Sequence, residues 1–112
     1  MNIDSLNNIT TINGLMLIDG NPSLMNINGL SNLSSVGGLV EIKYNDALTN
    51  LNGLSNLSTI GGYISIQHNA GMINLEGLNN LSSIGKYLEL RNLASLLNID
   101  ALNNLSSIGH DI

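Results

Sequence analysis

LSNLSTIGG, residues 54–62, decides the fold because the same phrase returns at a fixed interval. LSNLSSVGG fills residues 30–38, LNNLSSIGK residues 78–86 and LNNLSSIGH residues 102–110. The copies start at Leu30, Leu54, Leu78 and Leu102, each 24 residues after the last. LNNITTING, residues 6–14, is a diverged copy in the same register, starting at Leu6. No insertion or deletion interrupts the period, and a period of this length signals stacked repeats.

Superimposing the copies gives LxxLxxIGGxhxIxxNxxLxxLxG, with h apolar. In the second copy the apolar positions are Leu30, Leu33, Val36, Val40, Ile42, Leu48 and Leu51. A spacing of three never develops the i, i+3, i+4, i+7 offset of a helix. Alternation is clear only around Leu39 to Lys43, which predicts a short strand with Val40 and Ile42 inward. The remainder reads as short extended pieces with corners at Gly37–Gly38, near Asn45 and at Gly53. The glycine pairs are expected to take positive φ there.

One coil cannot bury its own apolar positions, so successive coils must stack at strand spacing, roughly 4.8 Å. The expected fold is all-β, a solenoid of 24-residue leucine-rich coils with essentially no helix. The 112 residues form one repeat domain of about 4.7 coils. The chain opens and closes within a coil and is read as a fragment of a longer array. Uncapped solenoid ends expose strand edges, and end-to-end self-association is expected.

Composition narrows the function. Twenty asparagines and 43% apolar residues, with no cysteine, suit a packed repeat without disulfides or thiolate chemistry. Net charge is −5 and the only permanent cations are Lys43, Lys86 and Arg91. Phosphate-backbone binding needs clustered positive charge, which argues against nucleic acid. No apolar run approaches a membrane span, and no signal peptide is visible in this chain.

The L-x-I-x-x-N fragment resembles leucine-rich repeats, but those place an apolar residue two positions after the Asn, not three as in Asn45 to Leu48. IGGYISIQHN, residues 60–69, and LTNLNGLSNLSTIGG, residues 48–62, resemble the receptor L domain across essentially the whole chain. That resemblance implies a right-handed parallel β-helix and an extracellular or cell-surface binding role. The chain lacks the cysteines of animal receptors and is more regular, so it is similar to the surface-protein arrays of bacteria. The receptors' hormone-binding residues are not carried over.

Little supports catalysis. His68 and His110 stand at different coil positions, and the acids are scattered. Glu76 and Asp100 share a coil position, which marks a polar edge or a carboxylate pair. No metal set and no cofactor motif is present, and no cofactor is expected. Asn21, Asn45 and Asn69 recur where the strand turns, a place for an Asn ladder that tolerates left-handed backbone and bonds between coils. Asn8, Asn32, Asn56, Asn80 and Asn104 begin sequons.

The repeats differ mainly on one face. The outward strand positions include Leu15, Leu39, Tyr63 and Tyr87, then Glu41, Ser65 and Glu89, then Lys43, Gln67 and Arg91. A constant scaffold with one variable face is how repeat proteins present binding sites. Tyr and Arg dominate binding hot spots, and protein or glycan is the expected partner. The leading reading is a non-enzymatic, secreted or cell-surface binding and adhesion module. The alternatives are a structural spacer of a surface stalk and an ice-binding solenoid, the latter from the small polar rank at Thr10–Thr11, Ser34–Ser35, Ser58–Thr59, Ser82–Ser83 and Ser106–Ser107.

Overall fold

The chain is a β-solenoid, seen in a computed structural model that describes residues 8–97 together with Ile99, Leu102, Leu105, Ser107 and Ile108. Leu6, Asp100, Asn104 and His110 lie outside the described residues. Among the described residues nine short strands make two parallel sheets. One contains β1 (Thr11–Ile12), β3 (Ser35–Val36), β5 (Thr59–Ile60), β7 (Ser83–Ile84) and β9 (Ser107–Ile108). The other contains β2 (Met16–Asp19), β4 (Val40–Lys43), β6 (Ile64–Gln67) and β8 (Leu88–Arg91). Odd strands pair with odd and even with even, since each coil contributes one strand to each sheet. The register is 24 residues throughout, as in Val40↔Ile64 and Ser35↔Thr59. An uninterrupted period leaves no other pairing that keeps every apolar column inward.

All seven apolar positions of the second coil are buried, from Leu30 to Leu51. Each fully buried Leu or Ile contributes roughly 1.5–3 kcal/mol. Columns such as Val40, Ile64, Leu88 and Ile42, Ile66 supply the core side of the four-stranded sheet. The LxxLxxL run is not extended, which corrects the sequence reading. It is a series of tight turns: Leu54 N–H donates to Leu51 O at 2.8 Å and Leu57 N–H to Leu54 O at 2.9 Å. Asn28–Leu30 and Asn52–Leu54 are single 3₁₀ turns. Side chains three apart eclipse in that geometry, so a spacing of three puts every leucine on one side.

The expectation of positive φ at the glycine pairs is also corrected. Among described glycines, only Gly20 (+72°) and Gly77 (+112°) have positive φ. Gly37, Gly61 and Gly85 are needed for closeness instead. A Cβ on Gly61 would strike the Gly37 carbonyl, and one on Gly85 the Gly61 carbonyl. The coil below occupies the space of the missing side chain.

Left-handed backbone falls one residue before the Asn column, at Gly20 (+72°), Tyr44 (+58°), His68 (+53°) and Asn92 (+55°). The asparagines themselves turn inward. Asn45 N–H donates to Asn69 Oδ1 at 3.0 Å, and Asn21 N–H to Asn45 Oδ1 at 3.1 Å. Asn45 Nδ2 donates to Ile18 O and Lys43 O, both at 2.9 Å, and Asn69 Nδ2 to Ile42 O at 2.9 Å. Asn45 and Asn69 are fully buried, and this bonding is what permits it. In the fourth coil Leu93 takes the position and the ladder stops, although Asn92 keeps the same turn.

Candidate functional site

Strand alternation puts position 17 and its equivalents, and position 19 and its equivalents, on the outer side of the four-stranded sheet. Parallel, in-register pairing then converts equivalent residues into columns. Along the strand direction the face reads as four columns. First come Leu15, Leu39, Tyr63 and Tyr87; then Leu17, Glu41, Ser65 and Glu89. Asp19, Lys43, Gln67 and Arg91 follow, and Gly20, Tyr44, His68 and Asn92 close the face at the left-handed corner.

Two aromatic stacks frame this surface. The Tyr63 and Tyr87 rings lie 4.6 Å apart at 4°, and the Tyr44 and His68 rings 4.7 Å apart at 2°. Both separations are close to coil spacing, so the stacks follow from the register. The second stack goes beyond the sequence reading, which gives His68 no partner. The signal was that Tyr44 and His68 are 24 apart. Tyr44 is 53% exposed. Asn92 Nδ2 lies 3.3 Å from His68 Nε2 and extends the column. Gly and Asn suit a left-handed corner, whereas Tyr and His carry a steric cost there.

Between the stacks the polar groups bond one another. Tyr63 donates its hydroxyl to Glu41 Oε2 at 2.7 Å, and Lys43 Nζ lies 3.3 Å from Glu41 Oε1. Glu41 is thereby held below its usual pKa, chiefly by the Tyr63 bond; burial pushes the other way, and Lys43 adds to the lowering. The same bond pushes Tyr63 up to about 12, with burial adding to it. Glu89 Oε1 accepts from Ser65 Oγ at 2.9 Å and from Gln67 Nε2 at 2.7 Å, while Arg91 Nη2 lies 2.9 Å from Glu89 Oε2. Ser65 is only 1% exposed, not open as expected: Gln67 and Glu89 close over it. Tyr87 has Ser65, not a glutamate, at the place where Tyr63 finds Glu41.

A groove lies elsewhere. Thr11, Ser35, Thr59 and Ser83 line a shallow channel of about 650 Å³ on the five-stranded sheet, floored by Gly37, Gly61 and Gly85. A groove marks where small molecules settle, whereas protein interfaces are commonly flat, so the channel does not displace the flat face. The Ser34, Ser58 and Ser82 hydroxyls donate to carbonyls one coil back, at 3.0–3.2 Å. Three hydroxyls of the rank considered for ice are thus engaged in the fold. The sequon asparagines Asn56 and Asn80 likewise donate to Ser31 O and Ser55 O at 2.6 Å. Glu76 is exposed at its edge. Among the described residues no group of three or more His, Cys, Asp or Glu could hold a metal.

Residues 34–110 match the family model of the receptor L domain. No curated protein and no solved structure shows a significant match to the chain. The family match spans the second, third and fourth strand pairs with both stacks, and the solenoid agrees with it. The chain belongs to the receptor L domain family, whose members are ligand-binding rather than catalytic domains.

Proposed function

We propose that the chain is an extracellular or cell-surface module that binds a protein through the outer face of its four-stranded sheet. Receptor L domains bind protein ligands in general and are typically extracellular. Among the described residues no helix is long and apolar enough to cross a membrane. The observation that carries the reading is the concentration of Tyr63, Tyr87, Tyr44, Glu41, Glu89 and Arg91 on one face of an otherwise uniform Asn/Ser/Leu scaffold. Stacked rings and paired carboxylates are preorganised, so little side-chain entropy is lost on contact. Tyr and Arg supply the anchors. Each ring of a stack covers one face of its neighbour, which limits ring-on-sugar stacking and favours a protein over a glycan.

The test is the double change Tyr63→Ala with Tyr87→Ala, scored against binders selected from a displayed library of secreted proteins. Binding should fall at least about tenfold per anchor lost, with the far-UV spectrum unchanged. Selected binders that hold the double variant as tightly as the parent would return the chain to the spacer reading. The in-register repetition favours that second reading, since a stalk needs only regular coils.

A further inference from the structure

We propose that this face is self-complementary and docks against the same face of a second copy, the two solenoids lying side by side with parallel axes. The proposal rests on the reading of the face as a binding surface and names its partner. Two of the four strands carry the same charge order, with Glu41 then Lys43 on β4 and Glu89 then Arg91 on β8, while β6 has the neutral Ser65 and Gln67 there. Tyr63 and Tyr87 lie at one edge of the face, and Tyr44 and His68 at the other. A dyad parallel to the solenoid axis reverses that order in the facing copy and keeps every coil at its own height. Glu41 then comes opposite the second copy's Lys43, and Glu89 opposite the second copy's Arg91. Tyr63 meets His68 at the far edge. A dyad along the strands, centred on the face, instead sets Glu41 against Ser65 and Lys43 against Gln67, and keeps one unlike pair, Asp19 with Arg91. The first arrangement therefore brings more unlike charges together than the second.

The charges are already held in place for it. Glu41 and Lys43 are 3.3 Å apart on one strand, Glu89 and Arg91 2.9 Å apart on another. Docking closes each pair into a ring of four alternating charges. Leu15 and Leu17, 55% and 54% exposed at one end of the face, gain cover in the same step. The face spans about five residue steps of roughly 3.3 Å by three coil steps of roughly 4.8 Å. That is a few hundred Å² per copy, below the ~800 Å² per partner of a standard interface. The contact is weak, forms at high protein concentration and weakens with salt.

Sedimentation equilibrium of the full chain tests it, with two charge variants. Lys43→Glu with Arg91→Glu makes the two inner columns acidic, and Glu41→Lys with Glu89→Lys makes them basic. Each variant alone should self-associate at least about tenfold more weakly than the parent. An equimolar mixture should recover association of parental strength, because opposite columns face each other again. If a charge variant fails to fold by circular dichroism, Lys43→Gln with Arg91→Gln replaces it. Weakened association then supports the contact, and unchanged association overturns it. A parent that stays monomeric at every concentration overturns the homotypic contact alone, since binding to a different protein is read separately by the tyrosine variant. Variants that associate as the parent does place the contact elsewhere, for instance at the ends, and overturn it as well.

Discussion

At the scale of single residues, two bonds separate surface decoration from structure. Asn69 Oδ1 accepts the Asn45 N–H, and its amide donates to Ile42 O, all out of reach of water. Asn69→Ala removes both partners at once and should cost roughly 1–3 kcal/mol, read as a lower urea midpoint. The Tyr63–Glu41 bond predicts a pH profile. Tyr63 is raised from 10.0 to about 12, so its contribution is complete below pH 10 and lost as pH climbs through 12. Glu41 is lowered from 4.5, so the same bond contributes above that pH and fades as acid takes it through the lower folded value. Tyr63→Phe should abolish the tyrosinate phase near pH 12 in an ultraviolet titration and flatten stability at both extremes. The Asn column was legible in the sequence because it repeats. Its left-handed neighbour was not, because Gly, Tyr, His and Asn share no side-chain chemistry, only a backbone angle.

Elements follow the same logic. The four longer strands were legible from the alternation around Val40 and Ile42, and they begin one residue later than the variable segment that includes Leu39 or Tyr63. The two-residue strands of the other sheet were not, since two residues carry no alternation. The leucine runs misled for a related reason: a spacing of three suits both extended corners and 3₁₀ turns until backbone bonds decide. The glycines misled in cause, though not in place. Because closeness and not φ requires Gly61, Gly61→Ala should cost about 1–3 kcal/mol by overpacking. Gly14→Ala, where no atom lies within 4 Å of the added carbon, is the contrast and should change the unfolding midpoint little.

For the whole molecule, stability is a sum over coils and the interfaces between neighbours. The fold was legible because every coil answers to one pattern. The candidate face was legible only as the place where that pattern relaxes. How its side chains bond one another was not, since Tyr63 reaches Glu41 and Ser65 reaches Glu89 across coils, over 22 and 24 residues of sequence.

The unbroken register has an evolutionary consequence. Length here is quantised: material can be gained or lost in whole turns without altering the cross-section. Excising residues 54–77 would join Gly53 to Leu78 and bring Val40 beside Leu88, with apolar still over apolar. Such a shortened chain should fold cooperatively with a lower midpoint, while removal of one residue fewer should turn the following strands inside out and abolish folding. Unequal recombination between tandem copies makes whole-turn changes readily, so the gene can vary reach without redesign. Each added or deleted turn also shuffles one row of the exposed face, so span and recognition evolve by the same genetic event.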